Sequence, residues 1–294
     1  MKRINFVIKL VVSVLIVYFL INMIGFKKIL SNIILVDPLF FILTIFLILI
    51  GLIMGALNVS VLLLPIKKIS LAKVFYYNTL SWSLGLFVPG KIGELSLIPF
   101  LKREGVSLGH GMVISILDKL ISLIVLSLLS IAGFFIFFES ITALKLIAIL
   151  FLCIAAFLFL IISDTGRNFI KKVVPRKLAA KFQGFSSILF YYLKEQKSIM
   201  TLNLIITFIK WVVNALVLYI LFLAYNQNIH FMYILLINSV LMIISLIPIS
   251  ISGLGVRESA AVAIYTSLNV EPLITISTHL IPLIISYAVA TLMI

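Results

Sequence analysis

The sequence predicts an all-α polytopic membrane protein, and three observations lead to this fold class. Of 294 residues, 64% are hydrophobic and 11% are charged, whereas about half of a soluble domain is apolar. The mean hydropathy is +1.33. Apolar runs of about 20 residues, long enough to cross a hydrocarbon core of about 30 Å, recur along the chain. Residues 1–294 are therefore predicted to form a single transmembrane domain in the cell membrane.

About six of these runs are predicted to be full spans, because polar or turn residues separate them. They cover residues 6–24, 39–64, 111–138, 141–163, 199–225 and 272–294. The first run follows Lys2 and Arg3 as a signal peptide would. It is longer than a signal h-region and no small-residue cleavage site follows it, so we predict a retained helix.

The basic residues predict the orientation in the membrane, because Lys and Arg concentrate in cytoplasmic loops. Lys2 and Arg3 precede the first span, three lysines follow the second, and the segment 164–197 holds eight lysines and arginines. The N-terminus and the segment 164–197 are therefore predicted to be cytoplasmic, and the aromatic residues of that segment are typical of a helix lying on anionic lipid. The net charge of +14 is assigned to these loops. Nucleic acid is not an expected partner, because no soluble basic surface exists to carry phosphate contacts.

Two further apolar segments, about 74–101 and 231–268, are interrupted by proline and glycine next to charge. In each, an Asn followed by Thr or Ser precedes about ten mostly apolar residues, a Pro, a glycine-rich turn and a Glu with a basic neighbour, which is a weak internal repeat. If both segments are re-entrant helical hairpins that enter the membrane from opposite sides, the predicted spans and loops fit one consistent topology. Broken helices in corresponding positions of two inverted repeats are typical of a transport site. The alternative is two ordinary kinked spans, since membrane helices tolerate proline.

Ionisable and glycine residues near these breaks form the candidate site. A charged side chain at mid-bilayer costs at least about 2.5 kcal/mol and persists only with a partner, water or a function. Cations could neutralise a phosphate, and glycines let a ligand approach backbone N–H groups. The candidate substrate-binding residues are Gly90, Lys91, Gly93, Lys119, Lys210, Ser252, Gly253, Gly255 and Arg257. Tight turning without ligand contact is the alternative explanation of the glycines.

Three acidic residues, Glu94, Asp118 and Glu258, are predicted to balance those charges or to carry protons. Lys91 lies three residues before Glu94, a spacing that shares a helical face. Arg257 and Glu258 are adjacent and are not expected to share a face. Each Glu could therefore pair with the basic residue of the other hairpin.

Other polar residues of the predicted spans are interpreted as packing residues or keep two alternative explanations. Lys210 is predicted to lie on a polar stripe with Asn203, Thr207 and Asn214 that faces protein or water, with snorkelling to the interface as the alternative. His279 is expected to be a hydrogen-bonded packing residue. No cofactor or metal is predicted, because the three histidines lie in different segments, Cys153 is the single cysteine, and no Walker or dinucleotide motif occurs.

The chain resembles the transmembrane region shared by lysylphosphatidylglycerol synthases with flippase activity and by stand-alone bacterial and archaeal membrane proteins. The resemblance is carried by Pro89-Gly90-Lys91-Ile92-Gly93-Glu94, by Asp118-Lys119, and most specifically by Leu246-Ile247-Pro248-Ile249-Ser250-Ile251-Ser252-Gly253-Leu254-Gly255-Val256-Arg257-Glu258. It implies a helical fold with two re-entrant regions around a cavity, and the handling of lipids or polyprenyl-phosphate-linked sugars. Two departures are Lys119, where Arg would be expected in many relatives, and the absence of the C-terminal aminoacyl-transfer domain.

Together these features predict a transporter or flippase of an anionic lipid or a polyprenyl-phosphate-linked substrate. The expected partners are that substrate and the bilayer. One alternative is an intramembrane lipid-phosphate or aminoacyl-lipid transferase, although no nucleophile-base arrangement is legible. Another is a scaffold protein, which would not need buried charge.

Overall fold

The computed structural model describes residues 25–163, 185–246 and 253–294. These residues form helices and contain no strand, which confirms the predicted all-α fold class. The elements are α1 (Phe26–Ile34), α2 (Pro38–Leu63), α3 (Leu71–Phe87), a 3₁₀ helix (Pro89–Ser96), α4 (Leu97–Arg103), α5 (Leu108–Phe137), α6 (Ser140–Ile162), α7 (Phe185–Glu195), α8 (Lys197–Ala224), α9 (Phe231–Ser245), α10 (Val256–Thr266) and α11 (Pro272–Met293).

Four helices, α2, α5, α8 and α11, are long and apolar enough to cross a membrane, and they coincide with four of the predicted spans. The predicted span at 141–163 is occupied by α6. The predicted span at 6–24 and the first part of the basic segment 164–197 lie outside the described residues. The sequence did not predict α1, a short helix whose Asn32 amide donates to Ser277 Oγ of α11 at 3.0 Å.

Local capping sets where the long helices begin. Asp37 precedes α2, and its carboxylate accepts a hydrogen bond from the Leu39 N–H at 2.7 Å, while Pro38 occupies the first helical turn. Ser107 precedes α5 in the same way and accepts from the His110 N–H at 3.3 Å. An oxygen-bearing residue at this position satisfies an N–H group that the helix leaves unpaired, and proline needs no N–H partner there.

The helices α2 and α8 pack against each other along much of their length and run antiparallel. The Asn203 amide donates to the Asn58 carbonyl at 2.9 Å, and the Asn58 amide donates to Thr207 Oγ1 at 3.0 Å. Further along, the Tyr192 hydroxyl donates to the Leu62 carbonyl. Hydrogen bonds of this kind hold helices together in lipid. Asn203 and Thr207 of the predicted polar stripe therefore face protein.

The first hairpin consists of α3 and the returning chain of the 3₁₀ helix and α4. Ser81 Oγ donates to the Glu94 carbonyl at 2.5 Å and accepts from the Leu97 N–H at 3.1 Å. Lys73 and Glu104 form a salt bridge at 2.9 Å. The Lys73 ammonium and the Tyr77 hydroxyl both donate to Glu104 and lower the pKa of its carboxyl group. The salt bridge therefore joins the start of α3 to the end of α4, so both ends of the first hairpin lie together beside the end of α2 and the start of α5.

Gly93 allows the two arms of the first hairpin to touch. A Cβ atom at this position would lie 2.2 Å from the Leu84 carbonyl oxygen, a backbone atom that no rotamer change can move. The absence of a side chain therefore sets the spacing of the arms.

The second hairpin consists of α9 and α10, which are in contact. A Cβ atom on Gly253, whose φ is +78°, would lie 2.6 Å from Ser245 Cβ, so only glycine fits this turn. The Tyr265 ring near the end of α10 packs 4.7 Å from the Phe222 ring near the end of α8. This hairpin therefore opens at the end of the bundle where α8 ends, opposite to the open end of the first.

The two hairpins point toward each other from opposite ends of the bundle. With 17 and 15 residues, α3 and α9 rise about 25 and 22 Å, less than a hydrocarbon core of about 30 Å. Their re-entrance into a bilayer and their relation as an inverted repeat stay predictions.

Separate hydrophobic clusters anchor the hairpins. The first packs with α2, α5 and α7 around buried residues that include Leu62, Leu101 and Ile114. The second packs with α5, α6 and α8 around a cluster that includes Phe222 and Ile237. The two hairpins are therefore anchored in different parts of the bundle.

Candidate functional site

A cavity of about 200 Å³ lies between α3 of the first hairpin and the described residues of the second hairpin. The first hairpin contributes Trp82 and Leu86, and the second contributes residues on both sides of its turn. The described lining residues are Trp82, Leu86, Trp211, Asn214, Val217, Leu218, Asn238, Met242, Ser245, Leu254, Arg257, Glu258, His279, Pro282, Leu283, Ser286 and Tyr287. The cavity therefore joins the broken segments to α8 and α11.

Arg257 and Glu258 form an ion pair at the edge of this cavity. Arg257 Nε and Nη2 donate to Glu258 Oε1 at 3.0 and 2.8 Å, and the Gly255 N–H donates to Oε2 at 2.7 Å. The side chains of Arg257 and Glu258 are 20% and 5% exposed. The two neighbours were not expected to share a helical face, and they pair at the start of α10. Glu258 turns back to cap the first turn of α10, and the long arginine side chain follows it there.

Several polar atoms of the cavity wall have no partner among the described residues. Trp211 Nε1 is buried without an acceptor. His279 is 3% exposed, and its Nε2 atom is buried without a partner. Asn238 Nδ2 donates to Asn214 Oδ1 at 3.0 Å. Buried polar atoms are nearly always paired, and these two belong to residues that line the cavity.

A second ionic cluster ties the first hairpin to α5. Lys119 Nζ lies 2.5 Å from Glu94 Oε2 and 3.1 Å from Asp118 Oδ2. Asp118 is 7% exposed, whereas protein atoms leave 55% of the Lys119 side chain uncovered. Glu94 of the first hairpin therefore forms an ion pair with Lys119 of α5.

Lys210 lies between the ionic cluster and the cavity. Its Nζ is 3.4 Å from Ser122 Oγ, one turn beyond Asp118 on α5, and 5.6 Å from the centre of the Trp211 ring. Trp211 itself lines the cavity. Lys210 therefore faces protein rather than extending along the helix to the interface.

The structure divides the predicted site residues into two groups. Arg257 and Glu258 line the cavity, with Gly253 and Gly255 in the turn before them at φ values of +78° and +80°. The second group is the ionic cluster of Glu94, Asp118 and Lys119, next to which Lys210 lies. Gly90, Lys91 and Gly93 belong to the 3₁₀ helix at the tip of the first hairpin, and Ser252 lies outside the described residues.

Four lining residues, Trp82, Trp211, Asn238 and Tyr287, were not predicted from the sequence to belong to the site. A usable signal existed for the tryptophans, since both lie inside apolar segments, whereas membrane tryptophans usually lie at the interfaces. Tyr287 gave no such signal. Its hydroxyl donates to the Leu86 carbonyl at 3.3 Å, a contact between residues distant in sequence.

The chain as a whole is similar to proteins that form a known family. Residues 6–294 match the family described as the lysylphosphatidylglycerol synthase TM region. A relative, the UPF0104 membrane protein MJ1078 of Methanocaldococcus jannaschii, is 30% identical over 199 residues. That match covers 63% of this chain and 79% of the relative. The range matched by the family includes both hairpins and the described lining of the cavity.

Proposed function

The chain is a membrane protein that belongs to the lysylphosphatidylglycerol synthase TM region family, and on this premise we propose that it translocates an anionic lipid or a polyprenyl-phosphate-linked substrate. The observation that carries the proposal is the position of Arg257 in a cavity that residues of both hairpins line. A cation and broken helices at one cavity are a recurring arrangement in transporters.

Arg257 is the proposed phosphate ligand. Its contact with Glu258 uses Nε and Nη2, the side edge of the guanidinium. The end edge, formed by Nη1 and the second Nη2 hydrogen, makes no further hydrogen bond within the described residues. A planar guanidinium can hold two phosphate oxygens with two parallel hydrogen bonds through such an edge.

The arrangement of the hairpins supports alternating access. Each hairpin is anchored in its own hydrophobic cluster, and residues of both hairpins line the cavity. A relative movement of the two clusters would open the cavity first toward one side of the membrane and then toward the other. The cytoplasmic location of the N-terminus and of segment 164–197 is part of this proposal.

The other predicted site residues receive supporting roles. Lys91, Lys119 and Lys210 would attract the substrate phosphate toward the first hairpin, with the glycines of both turns exposing backbone N–H groups to it. Glu94 and Asp118 would balance Lys119, which lies within 3.1 Å of both carboxylates, or carry protons. Glu258 would hold Arg257 in place.

Reconstitution of the purified protein into vesicles tests the proposal. Translocation of a fluorescent phosphatidylglycerol is measured by external quenching, and turnover of the same lipid by mass spectrometry. We expect translocation without turnover. Turnover without translocation would support the transferase alternative instead.

Arg257→Lys isolates the fork geometry, because it keeps the charge and a partner for Glu258. Loss of one of two parallel hydrogen bonds should slow translocation by about tenfold or more. Arg103→Lys is the matched control, since Arg103 lies outside the cavity against the Phe100 ring at 5.6 Å. Equal rates for the two variants would contradict the phosphate role.

The double variant Arg257→Gln with Glu258→Gln separates binding from structure. If Arg257 only neutralises the buried Glu258, removal of both charges should restore stability and translocation together. If Arg257 binds phosphate, the double variant should regain stability relative to Arg257→Gln and still fail to translocate.

A further inference from the structure

The short helix α1 is amphipathic. With about 3.6 residues per turn, its nine residues divide into an apolar side and a polar side. The apolar side carries, in angular order, Ile29, Ile33, Phe26, Leu30 and Ile34. The polar side carries Lys27, Ser31, Lys28 and Asn32. A helix of this length rises about 13 Å, too little to cross a hydrocarbon core, and its pattern is typical of a helix that lies on a surface.

One part of the apolar side packs on the helix bundle. Ile29 is buried, and Ile33 packs against a hydrophobic cluster that joins α8 to α11. The Asn32 amide donates to Ser277 Oγ of α11 at 3.0 Å, and the Asn32 carbonyl accepts a hydrogen bond from the Tyr225 hydroxyl at 3.0 Å. These contacts tie α1 to α11 and to the end of α8.

The other part of the apolar side is not covered by protein. Phe26, Leu30 and Ile34, which we call the exposed stripe, are each at least 47% exposed. Exposed apolar residues continue along the chain through Leu35 to Leu39 in the first turn of α2. Because α2 is long and apolar enough to cross a membrane, its exposed face is expected to contact lipid. The exposed stripe therefore leads into a lipid-facing surface.

The helix α1 lies at the level where the long helices begin and end. Ser277 follows Pro272, the first residue of α11, by five residues, so its contact with Asn32 lies about 7.5 Å along that helix. Tyr225 directly follows α8, and Pro38 begins α2 four residues after the end of α1. Helices that lie in a membrane interface bury their apolar side by about 5–10 Å. The position of α1 therefore matches the boundary between lipid headgroups and acyl chains.

Two lysines lie beside the exposed stripe. Lys27 and Lys28 are exposed, and neither forms an ion pair with another described residue. Lipid phosphates at this level would complement both ammonium groups. A second copy of the chain, docked on the same stripe through a two-fold axis, would instead bring two more lysines to the contact. The charges and the apolar pattern together favour the bilayer as the partner of this surface.

We propose that α1 is an interfacial anchor whose partner is the headgroup layer of the bilayer. The exposed stripe enters the boundary of the acyl chains, and Lys27 and Lys28 contact lipid phosphates. The described lining of the cavity contains no residue of α1, so this surface is separate from the proposed substrate site. Because α1 is tied to α8 and α11, which both line the cavity, the anchor fixes the ends of these two helices relative to the membrane surface.

Spin labels on the full-length protein in nanodiscs test the position of α1 without requiring translocation. In a background without Cys153, labels are attached to Leu30→Cys in the exposed stripe and to Ser31→Cys on the polar side, two exposed positions. We expect oxygen to relax the label at 30 more strongly than a water-soluble nickel chelate does, as at Ile42→Cys on the exposed face of α2. The label at 31 should show the opposite preference.

Two results would overturn the position of α1 in the interface. Stronger relaxation by the chelate at both 30 and 31 would show that α1 lies in water. Spin–spin broadening at 30, with low accessibility to oxygen and to the chelate, would show that a second copy of the chain covers the exposed stripe.

A fluorophore at Leu30→Cys tests the role of the lysines. Spin-labelled phosphatidylglycerol should be favoured over spin-labelled phosphatidylcholine as its quencher by about fivefold, the factor that one lysine near an anionic surface contributes. Lys27→Gln with Lys28→Gln should abolish this preference. Lys194→Gln with Lys197→Gln, which replaces exposed lysines near the other end of α8, is the matched control and should keep it. An unchanged preference in the first double variant would overturn the contact of the lysines with lipid phosphates.

Discussion

Replacing Gly93 by Ala should destabilise the first hairpin, because the new Cβ atom has no space. It would lie 2.2 Å from the Leu84 carbonyl oxygen and 2.6 Å from the Gly85 nitrogen. An ordinary contact begins at 3.4 Å, so the arms would have to separate by about 1.2 Å. Both obstructing atoms belong to the backbone of α3, and no side-chain rotation relieves the clash.

The cost of Gly93→Ala follows from two contributions. Overpacking of a close contact costs about 1–3 kcal/mol. Separating the arms also weakens the two hydrogen bonds of Ser81 with Glu94 and Leu97, each of which contributes about 0.5–1.5 kcal/mol. If both hydrogen bonds are lost, we expect the free energy of unfolding to fall by about 2–6 kcal/mol.

Gly51→Ala is the matched control for this substitution. Gly51 lies inside α2, and a Cβ atom added there would meet nothing within 4 Å. Alanine in a helix interior is about 0.5–1 kcal/mol more favourable than glycine. Unfolding of the detergent-solubilised protein, followed by tryptophan fluorescence, should show a stable Gly51→Ala variant and a weakened Gly93→Ala variant. Equal stability of the two would refute the close approach of the arms.

Two further predictions concern charge and orientation. Lys119→Gln leaves the carboxylates of Glu94 and Asp118 without the cation that now lies within 3.1 Å of both, so it should lower the melting temperature. Adding Glu94→Gln to this variant should recover part of the loss. Additive losses of the two substitutions would contradict the pairing. In a background without Cys153, a cysteine at Lys67 should react with a reagent applied from the cytoplasm and a cysteine at Asn228 with one applied from outside. The opposite pattern would overturn the predicted orientation.

Much of the fold follows from local properties of the sequence. The lengths of the apolar runs predicted α2, α5, α8 and α11, because a hydrocarbon core requires about 20 apolar residues per helix. Pro89 and the glycines after it predicted the break that ends α3. These signals lie within a few residues of the structure that they determine, so one sequence suffices to find them.

The ionic partners and the cavity depend on tertiary packing. Sequence spacing placed Arg257 and Glu258 on different faces, yet the cap of α10 brings them together at 2.8 Å. Glu94 pairs with Lys119 because α5 packs against the first hairpin.

The cavity itself is assembled from residues that lie far apart in the chain. Trp82, Trp211, Asn238 and Tyr287 come from four helices, and only the packing of those helices brings their side chains to one wall. The sequence by itself thus determined the helices, the breaks and the presence of buried charge. The conformations of long side chains and the packing of helices depend on contacts between residues that are distant in sequence. For that reason the tertiary structure alone decided which charged residues form pairs and which residues surround them.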